Sequence, residues 1–201
     1  MGLGTGRAAA AGIRALAERV AAGVQCVGVP TSVASRTLAR ELGIRLGRMR
    51  EPVDIAFDGA DLVTPTGLVV KGAGGALVRE RIVDGSARRF LVLVDALKVA
   101  DNLDVWGGLP VAVIPFAAEH VANALADLGP SRRPGRSDDG LVILDLAIPR
   151  GSDWAELGVR IRRVLGVVDT GLFCAKPADV LVGAPDGTVR TLIEFVRESR
   201  G

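Results

Sequence analysis

The chain has 201 residues, 49% of them hydrophobic and 24% charged, with a net charge of +2. That balance builds a sizeable core and supplies no strongly basic face for nucleic acid or an anionic membrane. Aromatic residues make up 3% and Tyr is absent, which leaves no platform for stacking bases.

Cys26 and Cys174 fit no metal-ligand spacing and read as two buried, reduced thiols. The apolar runs are too short to span a bilayer, and no signal pattern precedes the first motif. A cytoplasmic protein without a membrane segment is expected, as one large domain or a large domain with a small one.

In chain order, the stretch from Met1 to Gly6 feeds an Ala-rich pattern through Ala22, with Gly23 where a helix C-terminal glycine belongs. A Gly-x-Gly-x-Gly turn entering a helix offers backbone N–H groups and the positive end of the helix dipole to a phosphate. The spacing is not that of the dinucleotide motif Gly-x-Gly-x-x-Gly. A parallel α/β unit also calls for a strand before the turn, so a shortened start or a stub of a first strand is expected. Val24 to Val29 reads as a strand ending at Pro30. Thr31 and Ser32 then cap a helix through about Leu42, stopped by Gly43; their hydroxyls serve the cap or a ligand.

Asp54 to Glu80 is the densest stretch. Val53 to Phe57 is an apolar run that stops at Asp58-Gly-Ala-Asp61, and Leu68 to Val70 is a second run that delivers Lys71 at its carboxyl end. Gly72, Ala73, Gly74 and Gly75 then free the backbone ahead of a helix from Ala76 to Val83. In open α/β sheets, ligands sit at the carboxyl ends of strands. Asp-Gly and Gly-rich turns also occur without ligands, but two strand ends that both carry ionisable groups and glycine point to a site.

Phe90 to Val94 reads as an interior parallel strand ending at Asp95-x-x-Lys98. Beyond Leu109, Pro110 and Pro115 bracket a strand from Val111 to Ile114, and a helix spans Ala117 to Leu128. After a polar loop, Leu141 to Ala147 reads as a strand, Asp153 to Leu165 as a helix and Val167 to Phe173 as a strand. This run looks like a small α+β unit. Val180 to Gly183 and Thr191 to Val196 are expected to return as strands to the first sheet, which makes the second unit an insertion. The only histidine, His120, reads as a solvated or capping residue on its helix.

Seven segments in order resemble ribose-5-phosphate isomerase, type A, over nearly the whole chain. They are Gly4-Thr-Gly6, Asp58-Gly-Ala-Asp61, Lys71-Gly-x-Gly-Gly-Ala-Leu-x-Arg-Glu80, Asp95-x-x-Lys98, Leu109-Pro-Val-x-Val-Ile-Pro115, Val142-Ile-Leu-Asp145 and Gly171-Leu-Phe173. The second and third together are highly specific. The resemblance implies an α/β fold, with a Rossmann-like, mostly parallel sheet and an inserted ferredoxin-like α+β domain. The expected division is 1–106 plus 175–201 for the catalytic domain and 107–174 for the insertion. It further implies a homodimer or homotetramer, a sugar-phosphate substrate, no cofactor and no metal.

Carried over residue by residue, the resemblance makes Glu80 the base that moves a proton between C1 and C2 through an enediol(ate). Lys71 stabilises charge on the sugar oxygens, and Asp58 and Asp61 hold hydroxyls, one of them assisting ring opening. The substrate-binding set is Thr5, Gly6, Arg7 and Ala8 at the phosphate, then Asp58, Gly59, Ala60 and Asp61, then Lys71, Gly72, Ala73 and Gly74, with Lys98. Grouped carboxylates are expected to raise the pKa of Glu80 toward neutrality.

This chain departs from the family pattern in several places. Thr5-Gly6-Arg7-Ala8 stands where Thr-Gly-Ser-Thr is usual, so two hydroxyls are exchanged for a guanidinium able to grip phosphate. Leu62 replaces a Glu, Leu97 a Ser, and Asp139-Gly140-Leu141 an Asn-Gly-Asn. The family's N-terminal helix and most of its first strand are missing. Two other readings stay open. One is a sugar-phosphate sensor that binds without isomerising. The other is an amino-sugar phosphate deaminase or phosphogluconolactonase on the same scaffold, for which a catalytic histidine is expected outside the helix that carries His120.

Overall fold

The structure, a computed structural model, describes residues 1–50 and 52–199. Glu51, Arg200 and Gly201, which the expected catalytic domain includes, lie outside the described residues. The chain begins β1 (Gly2–Leu3), α1 (Arg7–Ala21), β2 (Val29–Pro30), α2 (Val33–Glu41), β3 (Ile55–Gly59), β4 (Leu62–Val63) and β5 (Leu68–Val70). It continues α3 (Leu77–Ser86), β6 (Arg89–Asp95), β7 (Gly108–Val113), α4 (Ala118–Ala124), β8 (Ser131–Arg132) and β9 (Val142–Ala147). Last come α5 (Trp154–Arg162), β10 (Val167–Thr170), β11 (Leu172–Cys174), β12 (Val180–Gly183), β13 (Val189–Thr191) and α6 (Leu192–Ser199).

These elements form two compact units. One comprises Met1–Ala60, Arg79–Lys98 and Ala175–Gly201; the other comprises Asp61–Val78 and Val99–Cys174. Residues 61–78 and 99–106, assigned with the first domain from sequence, thus make their contacts mainly in the second unit.

The first unit is built on a six-stranded sheet in the order β13-β12-β6-β3-β1-β2. Every neighbouring pair is parallel except β12 with β13. Successive strand residues face opposite sides, and both sides are covered. Phe57 packs with Leu3, Ile13, Ala39 and Ile44, whereas its neighbour Ala56 packs with Val29, Val53 and Val83 of α3. That double burial is why β3 and β6 read as continuous apolar runs rather than alternating ones. β1 has two residues but pairs on both sides, with β2 and β3. A Cβ on Gly2 would fall 2.6 Å from Ala56 Cβ and from Val83 Cγ1, so only glycine admits this packing.

The second unit holds a four-stranded antiparallel sheet, β10-β7-β9-β8, and a three-stranded antiparallel sheet, β11-β5-β4. Its core joins Val111, Val113, Leu144 and Leu146 to Val121 and Ile161 of the helices and to Leu125, which caps α4.

Several expected elements differ. Val24 to Val27 is not strand, Gly28 makes a single bridge to Leu46, and only Val29 and Pro30 form β2. Pro110 lies inside β7 opposite Asp145, where its carbonyl accepts from Gly171 N at 2.7 Å. The helix expected over Ala117 to Leu128 is a short α4 flanked by 3-10 turns. Val167 to Phe173 is two strands in different sheets, divided at Gly171, where a Cβ would lie 2.2 Å from the Lys71 carbonyl oxygen. Thr191 to Val196 is the end of β13 followed by helix. The Thr191 hydroxyl and backbone N–H both donate to Glu194 Oε2 at 2.8 Å, an N-terminal cap that starts α6. Cys26 is half-buried and Cys174 exposed, contrary to the two buried thiols expected. Among the described residues no helix is long and apolar enough to cross a membrane, and no group of three or more His, Cys, Asp or Glu is placed to hold a metal.

Candidate active site

Because β1, β2, β3 and β6 are parallel, their carboxyl ends share one edge of the sheet, and each leads into a polar residue there. The order β6-β3-β1-β2 makes β1 the switch point: the chain leaves it to one side for β2 and returns to the other for β3. Asp58, near the end of β3, is fully buried and its Oδ1 accepts from Thr5 N at 2.9 Å and from Gly59 N at 2.7 Å. One carboxylate oxygen thereby ties the turn after β1 to the turn after β3. The approach depends on glycine, since a Cβ on Gly4 would sit 2.2 Å from that same Oδ1.

The Thr31 hydroxyl, after β2, donates to Leu3 O at 3.1 Å and lies 2.8 Å from Thr5 Oγ1. With its own proton committed to Leu3, Thr31 accepts from Thr5. Its neighbour Ser32 is the cap instead, in a reciprocal capping box with Ser35 at the start of α2. Gly6 takes φ 95° at the N-terminus of α1, and Arg7 is exposed as the first residue of that fifteen-residue helix. The turn therefore presents a helix N-terminus and a guanidinium together, the elements of an anion site. Lys98, following β6, donates from Nζ to the Ala60 carbonyl. Glu80 lies in the first turn of α3 and is buried.

In the second unit, Lys71 follows β5 and is 2% exposed. Its backbone N–H donates to Gly171 O at 2.8 Å, and its ammonium stands 5.4 Å from the centre of the Phe173 ring, a cation–π contact. Asp61 accepts from Ala73 N through Oδ2 at 2.9 Å, while its own N–H donates to Val70 O at 2.8 Å. Asp61 is thus a brace on the glycine loop. Gly72 and Gly75 hold that loop at φ 103° and 76°, left-handed values that favour glycine.

A second brace was not anticipated from sequence. Arg133 donates from Nη1 to the carbonyls of Gly72 (2.7 Å) and Ala73 (3.0 Å), while its Nε and Nη2 form a bidentate pair with Asp145. The only signal was Asp145 at a strand position where an apolar residue would otherwise fit. Asp58 at 0%, Lys71 at 2% and Glu80 at 5% exposure are ionisable groups taken out of water. Such burial is costly unless compensated, and it clusters where chemistry requires it. His120, by contrast, is exposed on α4.

In the first unit the structure joins Thr5, Asp58, Gly59, Ala60 and Lys98 through contacts of backbone and side chain, and in the second Asp61, Lys71, Gly72 and Ala73. Gly74 lies in the same loop, and Ala8 follows Arg7 in α1.

Known proteins resemble this chain in sequence and in fold. The family model described as ribose 5-phosphate isomerase A (phosphoriboisomerase A) matches residues 27–187. Ribose-5-phosphate isomerase A of Haloarcula marismortui is 44% identical over 203 residues, covering 96% of this chain and 88% of that protein. The Deinococcus radiodurans protein of the same name is 41% identical over 197 residues, covering 93% and 87%. Among solved structures, ribose 5-phosphate isomerase A from Methanocaldococcus jannaschii superposes with a TM-score of 0.85 at 37% identity, covering 94% of this chain and 89% of that one. A D-ribose-5-phosphate isomerase in complex with phospho-erythronic acid gives 0.86 at 34% identity, covering 94% and 88%. With the motifs, the parallel-sheet fold and relatives spanning almost its full length in agreement, the chain belongs to the ribose 5-phosphate isomerase A family.

Proposed function

We propose that this protein interconverts ribose 5-phosphate and ribulose 5-phosphate, as an aldose–ketose isomerase. The observation that carries the reading is the burial of Asp58, Lys71 and Glu80 at strand and helix ends, all within the span that the family model matches.

In this reading Glu80 removes the C2 proton of the open-chain aldose and returns it to C1, through an enediol(ate). Lys71 stabilises the oxygen that carries developing negative charge, and its burial makes that charge more effective than it would be in water. Asp58 positions the turn at Thr5 and Gly6, and Asp61 positions the loop at Gly72 to Gly74. The phosphate sits at the N-terminus of α1, held by backbone N–H groups and by Arg7 in place of the hydroxyls usual in the family. Lys98, anchored on Ala60, lies with the sugar. The chemistry draws on side chains and needs neither a metal nor a redox cofactor. A homodimer or homotetramer in the cytoplasm completes the proposal.

The test is direct conversion of ribose 5-phosphate to ribulose 5-phosphate by the purified chain after treatment with a chelator. Turnover is expected. Binding of ribose 5-phosphate without conversion would overturn the proposal in favour of the sugar-phosphate sensor.

A further inference from the structure

Arg162, the last residue of α5, grips both ends of the crossover from β10 to β11. Its Nε donates to Asp169 Oδ1 at 3.0 Å, and its Nη2 donates to the Leu172 carbonyl at 3.1 Å. The same Asp169 Oδ1 accepts from Thr170 N at 2.7 Å, just where the register of β10 on β7 shifts. One guanidinium therefore spans Asp169 to Leu172. Gly158, one turn earlier on α5, lets the helix come close, since a Cβ there would lie 2.9 Å from Leu172 Cδ2.

Between the two anchors lies Gly171, which accepts from Lys71 N at 2.8 Å and donates to Pro110 O at 2.7 Å. Leu172 pairs with Val70, the residue before Lys71, and Phe173 sets its ring 5.4 Å from the Lys71 ammonium. Backbone and ammonium of Lys71 thus both rest on a segment that Arg162 pins. The Arg162 and Asp169 side chains are 39% and 11% exposed, so the carboxylate end of the grip is nearly dry. The planar fork reaches two acceptors at fixed angles, which an ammonium cannot do.

We propose that Arg162 is a positioning residue for the isomerisation. It acts through Lys71 rather than on the substrate: by fixing the crossover it fixes where the ammonium meets the oxygen that becomes charged. The inference rests on the role proposed above for Lys71.

The test is steady-state kinetics of the full chain on ribose 5-phosphate, at a temperature where circular dichroism shows every variant folded. It compares Arg162→Ala, Arg162→Lys, Lys71→Met and the Arg162→Ala/Lys71→Met double variant. Arg160→Ala is the control, because it removes the ion pair to Asp127 from the same helix and leaves the crossover alone. Arg162→Ala is expected to lower kcat about tenfold and leave KM within about twofold, the mark of a contact realised in the transition state. Arg162→Lys, which reaches one acceptor at a time, recovers part of the rate; Arg160→Ala keeps it. In the Lys71→Met background the loss of Arg162 costs nothing further, since the two act as a unit. If Arg162→Ala does not fold, Arg162→Lys carries the comparison and must be slower than Arg160→Ala. Wild-type kcat in Arg162→Ala with Lys71→Met impaired would overturn the inference. So would additive losses in the double variant, or an equal loss in Arg160→Ala. Wild-type kcat in Lys71→Met would instead overturn the role of Lys71 itself.

Discussion

Replacing Arg133 by Lys keeps the charge and removes the planar fork that holds both Asp145 and the Gly72 and Ala73 carbonyls. Hydrogen bonds to charged groups contribute about 1.5–3 kcal/mol each. The side chains are 25% and 37% exposed, so solvent screens part of the ion pair. A net loss of about 1–2 kcal/mol in stability follows, measured by denaturant midpoint. The larger consequence falls on the loop that follows Lys71. A misplacement of about 1 Å in a substrate-positioning group costs about 10²-fold in rate, so kcat is expected to fall about ten- to a hundredfold. Asp145→Asn, which frees the same guanidinium, should fall less but in the same direction. Unchanged kcat in Arg133→Lys, with the protein folded, would refute the reasoning and show the glycine loop to be self-supporting.

Gly4→Ala should overpack the Asp58 contact and cost about 1–3 kcal/mol, with substrate binding weakened as the Thr5 turn is displaced; an unchanged thermal midpoint and KM would contradict this. Asp104 accepts from Gly151 N at 2.8 Å and from Trp154 Nε1 at 3.2 Å, and these donors, Gly151 first, hold its carboxyl below the ordinary aspartate range. A lowered folded-state pKa gives a contribution that is present above the unfolded-state value and lost as pH falls through the folded one. The stability gap between wild type and Asp104→Asn, followed by tryptophan fluorescence, should therefore close on acidification below the usual aspartate range. A gap that stays constant with pH would count against the assignment.

What could be read from the sequence was what local pattern controls. β5 falls at Leu68 to Val70 as expected, and Ser32 caps α2 where a hydroxyl precedes an apolar pattern. Asp58 and Lys71 stand at strand ends because apolar runs stop there. The misses were set by long-range geometry. Nothing local says that Gly171 must yield its Cβ to the Lys71 carbonyl, and so one apolar run divides between two sheets. β1 lies between β2 and β3, a fact of topology and not of composition. Arg133 sits in a polar loop that reads as solvent-facing, and only its fold partners Asp145 and Gly72 reveal it as a brace. The start of α6 is different, because its signal is local: Thr191 and Glu194 have capping-box spacing.

The central claim is that Glu80 is the base, and Glu80→Gln tests it with almost no change in volume. Proton exchange between solvent deuterium and C2 of ribose 5-phosphate should be measured alongside ketose formation. General-base catalysis typically contributes about 10²–10⁴-fold, so exchange and conversion should fall together by at least that order, while binding of ribose 5-phosphate is retained. Conversion at the wild-type rate in the Gln variant would contradict the account.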